Sequence, residues 1–244
     1  MKVSLTYAYP KNKLRSSYIN FDCFDKETVK QINLFLRAVR LVKMKYYLYE
    51  FDHTNNVPQQ DIPNEAIEQT ERVFAYELYH QWSMLKGKKW MLNGEISKNI
   101  NWFYNYKEKD VPANKKKYPD LVLHKDPADD EQLIVCEIKR KNNLDGLKDD
   151  LEKLAIFTCS SESINQCFSS FKCGVFLLIN GSVNDLKEEI DKLFQNDDNS
   201  GLFEQREDTK KILCVFCQPM KRRIRIEYQL LYNIINNIGH IIHK

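Results

Sequence analysis

The chain has 244 residues, 43% of them hydrophobic, with only seven glycines and seven prolines. That fits one globular domain, or one domain with an appendage, and argues against a long disordered linker. A net charge of +3 says little about partners, so any basic footprint must be local. Residues 1–13 hold no apolar stretch long enough for a signal peptide. The first element is helical: Asp25 can cap it, and Val29, Ile32, Phe35, Leu36, Val39 and Val42 recur at helical spacing. Residues 53–64, rich in Asn, Gln, Asp and Pro, read as a loop. A second helix is predicted over about 65–85, with Val73, Phe74, Leu78, Trp82 and Leu85 on its core side and Gly87 as its stop.

A strand can begin at Trp90, ending at Asn93-Gly94 or running on through Ile96. Beyond a Lys- and Asn-rich segment come two short apolar runs, 121–123 and 133–136, separated by a turn-rich spacer that predicts a β-hairpin. A helix over 144–157 places Leu147, Leu151 and Leu154 on one face. A buried-type strand at 174–179, a charged helix at 184–194, a polar loop at 196–208 and an apolar run at 212–216 follow. The tail, 222–241, reads as an Arg-rich strand passing into an amphipathic helix or strand. This alternation predicts an α/β layered domain with a mixed sheet. The longest strongly apolar run, 175–179, is far too short to cross a bilayer. The seven cysteines show no disulfide-framework spacing, and several sit in apolar runs. A soluble, reducing, cytoplasmic setting without membrane association is the expectation.

The hairpin carries the chemistry. If strands 118–124 and 133–139 pair antiparallel, the centre of symmetry lies near Ala128 and Asp129, and Asp120 faces Glu137; a bulge would shift this by one place. Side chains alternate along a strand, so Glu137 and Lys139 share one face while Cys136 and Ile138 take the other. Two acids directly across a strand pair repel, and a divalent cation offsets that cost. Mg²⁺ or Mn²⁺ suits such a place, because it prefers oxygen ligands, takes one or two carboxylates and keeps sites for water and phosphate. Lys139 beside it can orient or help deprotonate an attacking water and neutralise charge in a phosphoryl transition state.

Pro119-Asp120, an apolar strand, a turn, and Glu137-Ile138-Lys139 at the end of a second strand resemble the signature of the PD-(D/E)xK nuclease superfamily. The resemblance covers roughly residues 71–179. It implies a restriction-endonuclease-like α/β core, with a central mixed sheet flanked by helices on both faces. Residues 65–220 would form that core, and 1–60 an N-terminal helical extension whose helix is an accessory, all within one domain. The implied activity is metal-dependent hydrolysis of phosphodiester bonds in DNA, with Mg²⁺ or Mn²⁺ as cofactor. By the same resemblance Asp120 and Glu137 are metal ligands, the Ile138 carbonyl adds a ligand, and Lys139 serves the water. An upstream helix supplies a supporting Glu, for which Glu77 is the first candidate and Glu71 the second. A homodimer is admitted, but nothing in the sequence fixes it.

Two other readings compete. The three groups can be a solvated strand end and a turn residue, or the fold can be an inactive nucleic-acid-binding or protein-interaction module. Weaker signals have bland explanations beside functional ones. The basic runs at 86–89, 115–117 and 139–141 could line a phosphate groove, although such runs are usually solvated. Arg222, Arg223 and Arg225 fit an edge strand that resists aggregation better than a nucleic-acid contact. Trp102, Phe103, Tyr104 and Tyr106 could stack on bases or simply pack. Cys214 and Cys217 have metal-pair spacing but no partner pair, so a buried strand is favoured. His80, Glu152 and Lys153 are expected on exposed helix faces.

Overall fold

A computed structural model describes residues 23–47, 64–94, 119–125, 131–158, 171–195, 208–220 and 223–242. The elements in chain order are α1 (Lys26–Leu41), α2 (Met44–Tyr47), α3 (Asn64–Leu85), β1 (Met91–Gly94), β2 (Leu121–His124) and β3 (Gln132–Arg140). Then come α4 (Leu147–Thr158), β4 (Cys173–Ile179), α5 (Val183–Gln195), a 3₁₀ turn (Asp208–Lys211), β5 (Ile212–Met220), β6 (Arg223–Leu230) and α6 (Leu231–Ile242). The strands form one six-stranded sheet in sequence order, β1 through β6. The β3–β4 and β4–β5 pairs are parallel and the other three antiparallel. The sheet is therefore mixed, and α4 and α5 occur in the two parallel connections.

Helices cover both faces. On one, α1, α2 and α3 bury Ile32, Phe35, Val39, Tyr47, Phe74, Leu78 and Trp82 against Ile134, Cys136, Val175, Leu177 and Val215. On the other, α4, α5 and α6 bury Leu151, Leu154, Leu186, Ile190 and Ile234 against Val135, Phe176, Leu178, Cys214 and Phe216. Strand β4 has parallel neighbours on both sides and helices on both faces, so all seven of its residues are buried and it reads as a continuous apolar run. Gly174 lets α4 approach closely: a β-carbon there would stand 3.2 Å from Thr158 Cγ2 and 3.5 Å from Leu154 Cβ.

Helix α1 begins where the sequence places it, with the Asp25 carboxylate accepting from the Thr28 N–H at 2.8 Å. It is not an accessory. Ile32, Phe35, Ala38 and Val39 are fully buried, and Phe35 meets Trp82 of α3 edge-to-face with ring centroids 5.0 Å apart. The structure thus makes the expected N-terminal appendage part of the main core, because its apolar stripe has no surface to bury except the sheet face shared with α3. At the other end, β6 is an edge strand on β5 and carries exposed Arg225 paired with Glu227. Among the described residues no helix is long and apolar enough to cross a membrane.

Candidate functional site

Strands β2 and β3 pair with Leu121 opposite Cys136 and Val122 opposite Val135; the ladder ends there, and Asp120, the residue before β2, donates its N–H to the Cys136 carbonyl at 3.1 Å and lines one cavity with Glu137. A register shift occurs between Leu123 and His124, on the turn side of the motif. Strand β3 outruns its neighbour. Its residues 137–140 remain paired with β4 on one side, while β2 has already ended on the other.

That open edge needs hydrogen-bond partners, because backbone N–H groups are obligatory donors. Two carboxylates supply them. Asp120 Oδ2 accepts from the Ile138 N–H at 2.7 Å, and Glu71 Oε1 accepts from the Arg140 N–H at 2.9 Å and from Asn143 Nδ2 at 3.2 Å. The N–H and C=O of one strand residue point to the same neighbour, so the Ile138 carbonyl is directed to this edge too. The edge opens on a cavity of about 600 Å³ bounded by α3, the ends of β1 and β3, the start of β2, and α4.

Glu137 lines this cavity yet is only 3% exposed. Its Oε2 receives the Lys153 ammonium at 2.9 Å, whereas Oε1 is buried without a hydrogen-bond partner among the described residues. Burial, and then the negative charge of Asp120, push its carboxyl well above the ordinary range; Lys153 pulls the other way. Lys153 also reaches Asp150 Oδ1 at 3.1 Å, and Asp150 Oδ2 holds Lys139 at 3.3 Å. The result is an alternating chain of charges: Glu137, Lys153, Asp150, Lys139. Burial alone would lower both lysines, but Asp150 and Glu71 around Lys139, and Glu137 and Asp150 around Lys153, raise them instead. Burial lifts the Glu71 carboxyl to about 7 against the opposing pull of the Arg140 N–H and Lys139.

The structure therefore brings together Asp120, Glu137, Ile138 and Lys139, with Glu137 and Lys139 on the α4 face and Cys136 and Ile138 on the other. It does not bring in Glu77, whose carboxylate accepts from Gln81 at 2.8 Å and is not part of the cavity wall. Glu71 takes that place. Spacing explains the correction: Glu71 stands in register with the buried stripe Phe74, Leu78, Trp82, and Glu77 falls to its side. Lys153 is a second correction. Expected to be exposed, its side chain is only 12% so, because Asp150 and Lys153 border the buried stripe Leu147, Leu151, Leu154 on the same side. Spacing sets each residue beside a buried stripe, and the partner that makes its burial tolerable lies on β3.

The other sequence candidates resolve differently. Lys89 lies over the Trp90 ring and 3.4 Å from Glu27, Arg140 donates to the Tyr46 carbonyl at 2.9 Å, and Lys141 pairs with Asp185 at 2.7 Å. These cations serve the fold rather than line a groove. Cys214 and Cys217 are buried on opposite faces of β5, so they form no pair. His80 is exposed and stands outside the cavity wall. Residues 102–106 and 115–117, Arg222 and the hairpin turn 126–130 lie outside the described residues.

Among the described residues no three His, Cys, Asp or Glu side chains converge as a metal-binding group. The donor set nonetheless fits a hard divalent ion that keeps several waters, since that ion asks for one or two carboxylates. The fit rests on the orphaned, buried Oε1 of Glu137 beside Asp120. No family model, curated protein or solved structure matches the chain.

Proposed function

We propose that this protein is a metal-dependent nuclease with a restriction-endonuclease-like core, hydrolysing phosphodiester bonds in DNA. The observation that carries the proposal is the convergence of Asp120, Glu137 and Lys139 on the wall of one cavity, with Asp120 near enough to raise the Glu137 carboxyl. Two neighbouring acids at a strand end are costly unless a cation lies between them, and Glu137 keeps a buried oxygen without a partner among the described residues. Asp120 and Glu137 would hold Mg²⁺ or Mn²⁺, with the Ile138 carbonyl as a further oxygen on the same edge. When bound, such an ion polarises a phosphate ester and lowers the pKa of a water molecule.

The chain's own residues do the rest. Lys139 is kept protonated by Asp150 and Glu71, so its ammonium offers a fixed positive charge to the phosphoryl oxygens as negative charge builds on them. Glu71, near neutrality in its titration, stands within the electrostatic reach of Lys139 and Asp120 and can accept a proton from water. Arg72 and Tyr76 of α3 line the outer wall, where a guanidinium and an aromatic face suit a phosphate and a base.

One observation favours a second reading. The chain Glu137, Lys153, Asp150, Lys139 neutralises the acids internally, as a non-catalytic binding module on this fold would require. The discriminating experiment incubates purified protein with single-stranded, double-stranded and branched DNA, with Mg²⁺ or Mn²⁺ and with chelator. The nuclease proposal expects metal-dependent cleavage that Lys139→Ala reduces about a hundredfold or more while the variant stays folded. Binding of DNA without cleavage by the wild type, on every substrate, supports the module instead.

A further inference from the structure

Lys153 stands where a cation would serve Glu137. Its ammonium is 2.9 Å from Oε2 of that carboxylate and 3.1 Å from Oδ1 of Asp150, one helical turn away. We propose that Lys153 is a tethered counter-ion of this site: it positions Glu137 and competes with a divalent cation for it, and Asp150 is the seat to which it withdraws. This rests on the assignment of Asp120 and Glu137 as metal ligands.

Three features argue for it. First, the two oxygens of Glu137 are in different circumstances, Oε2 held by Lys153 and Oε1 buried in the cavity wall without a hydrogen-bond partner among the described residues. An incoming ion meets Oε1 and so approaches the ammonium on the neighbouring oxygen. Two positive charges a few ångströms apart in a desolvated place repel strongly, so full occupancy by one displaces the other. Second, the root of Lys153 is fixed, because Leu151 and Leu154 on either side are fully buried. Its flexible four-carbon stem can still turn, and an ammonium carries three donors that need no planar match. Third, a second acid is already in contact. Lys153 can leave Glu137 without becoming a buried, unpaired charge, the state that would otherwise forbid the move.

The arrangement gives the site a resting form. With no divalent ion, Asp120 and Glu137 would repel each other in the cavity wall, and Lys153 offsets that repulsion. It also sets a threshold, since an ion must displace an internal competitor, and a substrate phosphate that adds negative charge to the cavity helps it to do so. The positioning role and the threshold are two consequences of one contact.

The test measures Mn²⁺ binding to the full chain by titration calorimetry without nucleic acid, for the wild type, Lys153→Met and Asp150→Asn. Removing the competitor should tighten binding about tenfold or more, and removing its seat should weaken binding several-fold. A structural role alone would move both variants in the same direction. In parallel, the ¹⁵N-labelled Lys153 ammonium signal of the wild type should shift as diamagnetic Mg²⁺ saturates the site, which keeps the test decisive if Lys153→Met does not fold. An Asp120-dependent site that Lys153→Met binds no more tightly, or a Lys153 signal unmoved at saturation, overturns the counter-ion proposal and leaves the metal assignment standing. No binding by any of the three proteins overturns both.

Discussion

The Asp120 carboxylate accepts the Ile138 N–H at 2.7 Å, so one side chain seals the open edge of β3 and faces Glu137 with negative charge. These two roles separate by substitution. Asp120→Asn retains an oxygen acceptor for the N–H and removes the charge, so its stability should equal or exceed that of the wild type. Asp120→Ala leaves a part-buried N–H unpaired and should cost about 1–3 kcal/mol. Urea denaturation midpoints check the order, and cleavage should be lost in both variants.

Glu71 should make stability depend on pH in the direction opposite to a salt-bridged acid. Its carboxyl is lifted from 4.5 to about 7 in the folded chain, mainly by burial. Below 4.5 both the folded and the unfolded states carry the proton, and the group contributes nothing. As pH rises through the window up to about 7, the unfolded chain releases its proton first and gains stability. The fold should lose no more than about 3 kcal/mol from this group. Glu71→Gln keeps the acceptor for Arg140, so thermal melts at pH 5 and pH 8 should differ less for the variant than for the wild type.

Lys139 pairs with Asp150 at 3.3 Å with both side chains largely covered. Its loss should cost about 1–2 kcal/mol, between the values for exposed and buried pairs. The catalytic loss should be far larger in proportion, because the ammonium's charge is aimed at the cavity. Stability and cleavage measured on the same Lys139→Ala preparation separate the two effects.

Phe35 tests whether α1 belongs to the core. Packed edge-to-face on Trp82 and fully buried, it should cost about 3–5 kcal/mol on truncation to Ala. An appendage would shed the side chain for much less. Calorimetry on Phe35→Ala decides.

The hairpin was legible because a strand's period of two and a turn's symmetry together fix which residues face each other. Counting led to Asp120 and Glu137, which line one cavity, although the β2–β3 ladder ends at Leu121 and Cys136 and Asp120 donates to the Cys136 carbonyl. The β4 core strand and the capped start of α1 were equally open to local reasoning. What escaped was burial decided by a partner element. Glu71 and Lys153 are polar groups beside apolar stripes, and only the neighbouring strand end shows that each finds a partner there. The exchange of Glu77 for Glu71 has the same origin. A residue's place on a helix face can be read from spacing, but the hydrogen bond that makes its burial tolerable belongs to another part of the chain.

The central claim is that Asp120 and Glu137 share one divalent cation. The most direct measurement is the anomalous difference density of a crystal soaked in Mn²⁺. The account expects a single peak about 2.1 Å from an oxygen of each carboxylate, within reach of the Ile138 carbonyl. A soaked crystal with ordered Asp120 and Glu137 and no peak between them, at saturating Mn²⁺, would contradict it.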